Sequence, residues 1–194
     1  MSDTKLSHQI LSCAREILAS DGLSAVSFDA IARRLGCSKQ AVLYWYPTKH
    51  DLLAAMVLPW LEAEVETAVG AVSVSKNRTH AVGSFIRSVV DFHVRDLERF
   101  RMMYLVPQTT SAKSGNRGQV FAGEKIYPVT SRLYGALADH LDGDSNAARK
   151  EAVAIHSAVL GLVLMFALSD AIHDPMKHSH NDLRDALIAS FTQR

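Results

Sequence analysis

The chain is poor in the groups from which chemistry is most easily read. Of its 194 residues only two are cysteine. Cys13 falls within a helical pattern and Cys37 in a turn, at no spacing that suits a metal. Both thiols therefore read as small buried hydrophobes of a reducing compartment. There is no Gly-x-Ser-x-Gly elbow, no phosphate-binding P-loop and no His-Glu-x-x-His pair, so nothing prescribes catalysis and the chain is not expected to be an enzyme. No strand run, internal repeat or low-complexity tract stands out, which leaves an all-α chain of about nine helices. The opening MSDTKLSHQ carries no hydrophobic core of an export signal, and the cytoplasm is the expected compartment.

Net charge is also scarce. A formal charge of +1 excludes a protein held to nucleic acid by bulk charge. With 48% hydrophobic and 21% charged residues the chain is too apolar to be disordered. The charge is unevenly spread, however. Residues 1–50 hold six cations (Lys5, Arg15, Arg33, Arg34, Lys39, Lys49) against four acids (Asp3, Glu16, Asp21, Asp29), giving +2 and leaving −1 for the remainder. A few placed cations, doubled in a dimer, are consistent with a footprint on a phosphate backbone.

What is present is concentrated between Ser27 and Lys49. Phe28, Ile31, Ala32 and Leu35 recur at i, i+3, i+4 and i+7 behind Ser27 as an N-cap, with Arg33 and Arg34 opposite. Gly36 stands where a helix end needs a left-handed residue. Ser38 then caps a second short helix whose inward side is Ala41, Val42 and Trp45. Two short helices joined by a turn of about three residues, with small Ala32 and Ala41 allowing close approach, have the geometry of a helix-turn-helix. Turning Ala41, Val42 and Trp45 inward leaves Lys39, Gln40, Leu43 and Tyr44 outward. Gln40 can offer a bidentate donor and acceptor to adenine, Leu43 an apolar contact to a thymine methyl, Tyr44 a hydroxyl, and Lys39 a charge to phosphate. Pro47 stops the helix. Thr48 and Asp51 form a capping-box pattern, so Lys49 lies beside free amides that attract an anion.

The ungapped run IARRLGCSKQAVLYWYPTKHDLL resembles the signature of the TetR family of bacterial transcriptional regulators over about the first quarter of the chain. The resemblance is carried by Ser38 and Lys39 in the turn, by Tyr44, Trp45 and Tyr46, and by the Thr48-Lys49 step. It departs at Leu43, where the family often has a DNA-touching tyrosine, and at Gln40, where it often has a small residue, so the base preference is not carried over. The resemblance implies a DNA-binding head, residues 1–50, and a ligand-binding and dimerisation domain, 51–194.

Beyond the head, helical spacing resumes over Thr48–Val72, where Pro59 predicts a kink or break between Leu58 and Trp60. Further helices are predicted over His80–Arg95, Asp96–Tyr104 and Phe121–Leu141, with a polar loop at Gln108–Gln119. From Ala147 to Ile172 the chain is apolar nearly all round, yet reads as too short and too interrupted to cross a bilayer, and no membrane partner is expected. A helix apolar on every face needs cover on every face, and a second copy of the chain is the economical source. Ala158, Gly161 and Met165 on that stretch, with Leu187 and Phe191 on the last helix, Asn181–Phe191, are the expected dimer contacts. A pocket for a largely apolar small-molecule effector, in the region where TetR-like proteins bind theirs, is expected to draw on Trp60, Phe85, Phe92, Met102, Met103, Phe121 and Tyr127, with His93 and His156 as polar contacts. His173, His178 and His180 read as solvated surface, and neither metal nor cofactor is expected.

The expected function is a homodimeric, ligand-released repressor of a roughly palindromic double-stranded DNA operator. The alternative is a small-molecule binding protein or enzyme with a vestigial DNA-binding head.

Overall fold

The structure, a computed structural model, describes residues 3–105, 117–173 and 176–193, and of these the side chains of 3, 4 and 117–124 are excepted. The described residues are helical and without strands: α1 Asp3–Asp21, α2 Phe28–Leu35, α3 Lys39–Trp45, α4 Lys49–Ser73, α5 Arg78–Val94, α6 Leu97–Phe100 continuing into a π-helical turn Arg101–Leu105, α7 Arg117–Ala138, α8 Ser145–Ile172 and α9 His180–Thr192. They form two compact units, one of Met1–Pro59 with Met103–Tyr127, the other of Trp60–Met102 with Pro128–Arg194.

In the first unit α1 packs on α2 and α3, which pack on each other. Ile10 and Ala14 of α1, Ile31 of α2, Val42 of α3 and Leu52 of α4 are fully buried with Val26 of the connection. The two short helices owe their ends to local chemistry. Ser27 Oγ accepts from Ala30 N–H at 3.1 Å and Ser38 Oγ from Ala41 N–H at 3.1 Å. Between them Gly36 turns the chain at φ 66°, and the Cys37 amide donates back to the Ala32 carbonyl at 3.0 Å. Cys37 is only half-buried, which corrects the expectation of two buried thiols: it lies in the turn itself, whereas Cys13 faces the core. Thr48 and Asp51 form the reciprocal cap, Asp51 N–H to Thr48 Oγ1 at 3.1 Å and Thr48 N–H to Asp51 Oδ2 at 3.0 Å.

α4 is a single 25-residue helix with Pro59 inside it. Of the kink or break predicted at Leu58–Trp60, the break is therefore absent. Proline removes one donor, and Pro59 is exposed, so the hydrogen-bond ladder on either side carries the helix through. Pro128 is likewise exposed within α7. The predicted polar loop lies outside the described residues as far as 116, and 117–119 open α7.

In the second unit α5 packs on α8 and α9. Val82, Ile86 and Val89 of α5 are buried with Ile155, Val159 and Phe166 of α8. Arg78 ties this unit at one end: its guanidinium donates to the Phe191 carbonyl at 3.0 Å and to Glu151 at 2.7 Å, and lies 3.6 Å from Asp142. Arg101 donates to the Ala167 carbonyl at 2.7 Å and to Asp170 at 2.8 Å.

The expectation that the Ala147–Ile172 stretch is too short for a bilayer is corrected. α8 has 28 residues and is long and apolar enough to cross a membrane by length and composition, although 39% of its most apolar window is buried within the protein. Glu151 and His156 do not interrupt it, because Glu151 meets Arg78 and His156 meets Glu64.

Candidate nucleic-acid interface

α3 presents the sequence-predicted residues from a helix pinned at three places. Val42 is fully buried beneath it, and Tyr46 at its end is buried with its hydroxyl 3.2 Å from Ser7 Oγ of α1. Trp45, half-buried, meets the Tyr44 ring edge-on at 5.4 Å between centroids. On the opposite side Ser38, Lys39 and Gln40 are exposed, Leu43 is half-buried, and Tyr44 is 77% exposed. A Gln amide, a phenol and an ammonium thus stand in a row on a short rigid element, a set suited to base edges and phosphates.

Two of the cations are engaged in ways that no helical spacing announces. Lys39 Nζ lies 2.8 Å from Asp29 Oδ2. Lys49, half-buried, donates to the Leu23 carbonyl at 3.3 Å, so it closes the α1–α2 connection as well as standing at the start of α4. Arg15 donates to the Met56 carbonyl at 3.1 Å, and Arg34 lies 3.9 Å from Glu16. Arg33 is exposed on α2.

Of the residues expected to bind an effector, Phe85, His93, Met103 and His156 are buried, while Trp60, Phe92 and Met102 are half-buried. Tyr127 is 66% exposed, and the Phe121 side chain lies outside the described residues. Trp60, Phe85, Phe92, His93, Met102 and His156 belong to the larger unit, whereas Met103 and Tyr127 cluster with the head.

His93 and His156 are brought together by a residue that sequence gave no reason to single out. Glu64 of α4 is fully buried, and its Oε1 accepts a hydrogen bond from His156 Nε2 at 3.0 Å and lies 3.4 Å from His93 Nε2. Tyr134 of α7 reaches His156 Nδ1 at 3.2 Å. Phe85 stands edge-on to His156, and Phe92 and Phe100 edge-on to His93. Burial alone would push the Glu64 carboxyl up, but hydrogen bonding from His156 and His93 and their charge outweigh it and bring it down to about 2. Burial and the Glu64 charge push the Tyr134 phenol up, keeping it protonated. Three helices, α4, α5 and α8, thus meet on one carboxylate, and α7 joins them through His156.

His173, His178 and His180 are exposed, and among the described residues no cluster of His, Cys, Asp and Glu is arranged to hold a metal. His173 and His180 line an open cleft of about 570 Å³ with Leu97, Phe166 and Asp170.

The residues expected to pair two copies lie on the outside of this chain. Gly161 and Met165 are exposed and Ala158 half-buried on α8; Val153, Leu168 and Ile172 continue the same uncovered stripe. Leu187 and Phe191 are half-buried on α9, which has no fully buried residue. An added Cβ at Gly161 would meet nothing within 4 Å.

Residues 10–56 match the family profile described as bacterial regulatory proteins, tetR family. No curated protein matches the chain in sequence. Among solved structures, the chain resembles the candidate regulatory protein SCO4313 at TM-score 0.71 and 15% identity, covering 99% of this chain and 97% of that one. It resembles a bacterial regulatory protein of the tetR family from Rhodococcus RHA1 at TM-score 0.60 and 18% identity, covering 96% and 95%. It resembles the transcriptional regulator FadR from Bacillus subtilis, solved in complex with stearoyl-CoA, at TM-score 0.63 and 16% identity, covering 95% and 97%. At these identities the likeness is one of fold, and it extends over both units.

Proposed function

We propose, from the match of residues 10–56 to the tetR family of bacterial regulatory proteins, that this chain is a homodimeric repressor that places two copies of α3 in successive major grooves of a roughly palindromic operator and releases it on binding a small molecule. The observation that carries this reading is the outward row of Lys39, Gln40 and Tyr44 on a helix whose other side is pinned by Val42 and Tyr46. Residues 1–50 read DNA in this proposal, and 51–194 pair the subunits and hold the effector. The uncovered apolar stripe of α8 supports the pairing, since contiguous apolar surface left in water marks an interaction face. The FadR neighbour's complex with stearoyl-CoA supports an effector that is largely apolar. The protein acts in the cytoplasm and is not an enzyme.

The effector works only through its preference for one spacing of the two heads over another. Half-sites recur about every 34–36 Å on B-form DNA, so a few ångströms of misregister weaken the grip on both at once. α4 is the element suited to carry the shift, because it begins at the Thr48–Asp51 cap beside Lys49 and reaches Glu64 without interruption.

An electrophoretic shift with the DNA upstream of the chain's own gene tests the reading. Salt-sensitive binding, relieved by a small molecule, is expected, and its absence favours a binding protein or enzyme with a vestigial head. Lys39→Gln is expected to weaken binding to all sequences alike and to flatten the salt dependence by about one phosphate contact per head. Gln40→Ala is expected to relax preference at one base pair, at a cost of about 1–3 kcal/mol on the preferred base. Equal losses on every operator variant for Gln40→Ala would contradict its role.

A further inference from the structure

Asp29 and Lys39 are ten residues apart in sequence, near the start of α2 and at the start of α3, and their side chains meet at 2.8 Å. Each side chain is about half exposed, and an ion pair in that setting adds little to folding. Neither is needed as a cap, since Ser27 and Ser38 already accept the amides that the two helices leave open. Asp29 benefits from the partial positive charge at the start of α2. Lys39, placed where α3 carries the same partial charge, does not. A cation in a locally unfavourable place, contributing little to stability, is explained by what it meets in a complex. On α3 that is a phosphate, and in the free chain a carboxylate holds the ammonium instead.

We propose that Asp29 is an affinity-setting residue of the DNA interface, competing with a backbone phosphate for the Lys39 ammonium; this rests on the reading of α3 as the recognition helix. The head has few charges to spend. Arg15 and Lys49 are turned to the carbonyls of Met56 and Leu23, and Arg34 faces Glu16, so one more cation occupied internally matters to the total. Because a phosphate is the same whatever base it carries, the competition lowers the grip on every sequence by the same factor. Preference among operators is left to Gln40 and its neighbours. Asp29 thereby holds down binding to bulk DNA without blurring the choice of site.

The test uses the full chain and four forms: wild type, Asp29→Asn, Lys39→Gln and the double variant. Binding is followed by fluorescence anisotropy on a duplex from the chain's own upstream region and on a scrambled duplex, across a salt series. Asp29→Asn is expected to bind both duplexes about two- to fivefold more tightly per head at low salt, a gain that shrinks as salt rises. In the Lys39→Gln background the gain is expected to vanish. Unchanged or weaker binding by Asp29→Asn overturns the proposal. So does an equal gain without Lys39, which would make Asp29 a general repulsive charge, and so does a gain confined to one duplex. Asp29→Ser repeats the measurement should the amide disturb α2. Wild type that binds neither duplex sinks the DNA-binding reading and this inference together, whereas wild-type binding without the gain sinks only the inference.

Discussion

Met165→Glu is expected to leave the chain monomeric and to weaken operator binding by two orders of magnitude or more. Met165 is 53% exposed in the middle of the α8 stripe that runs from Val153 to Ile172. In a twofold dimer the same surface appears on both sides, so each substitution introduces two carboxylates into one dry contact. An unpaired charge buried there costs on the order of several kcal/mol, and every 1.4 kcal/mol is a factor of ten. Because the side chain is exposed in the single chain, folding of the monomer should change by no more than about 0.5 kcal/mol. Sedimentation velocity separates the two effects: a dimer that persists with glutamate at the centre of the stripe removes α8 from the interface.

Glu64→Ala carries the second large effect, and it acts on stability. Removing one partner from a buried ionic cluster costs on the order of 3 kcal/mol, here with a cavity added where α4 meets α5, α7 and α8. The pH dependence gives the result its signature. The Glu64 carboxyl is held near 2 in the fold against an ordinary 4.5, so its contribution is fully present above 4.5 and is lost as pH falls from 4.5 toward 2. Urea unfolding of the wild type should therefore weaken across that window by on the order of 3 kcal/mol, and the variant should lack that part of the slope. A variant as stable as wild type at neutral pH, or one with the same acid limb, would show that Glu64 is not the keystone of the cluster.

The two short helices of the head were legible from sequence because their caps and turn are local. Ser27, Gly36, Ser38, Thr48 and Asp51 act on amides and carbonyls within five residues, and the apolar stripes of α2 and α3 repeat within two turns. The partners of the charged groups were not legible. Lys39 finds Asp29 across a tight turn, Lys49 a carbonyl 26 residues away, and Glu64 its histidines on α5 and α8, so no periodicity within α4 marks that acid among its neighbours. His93 and His156 were noticed for the apolar company they keep, but what they serve became visible only with Glu64 between them. The break at Pro59, one of the two outcomes expected there, and the interruption of α8 are both absent, for one reason. Pro59 leaves α4 unbroken, and Glu151 and His156 leave α8 apolar in effect, because in each case the offending group is either exposed or matched by a partner from another helix.

The grip of Arg78 on the Phe191 carbonyl has a practical meaning for anyone handling this chain. The final helix is clasped at its last turn by a residue more than a hundred positions earlier, so the tail is a strut. A deletion that removes Phe191 strips the guanidinium of a carbonyl acceptor and loosens the junction where Glu151 and Asp142 gather around it.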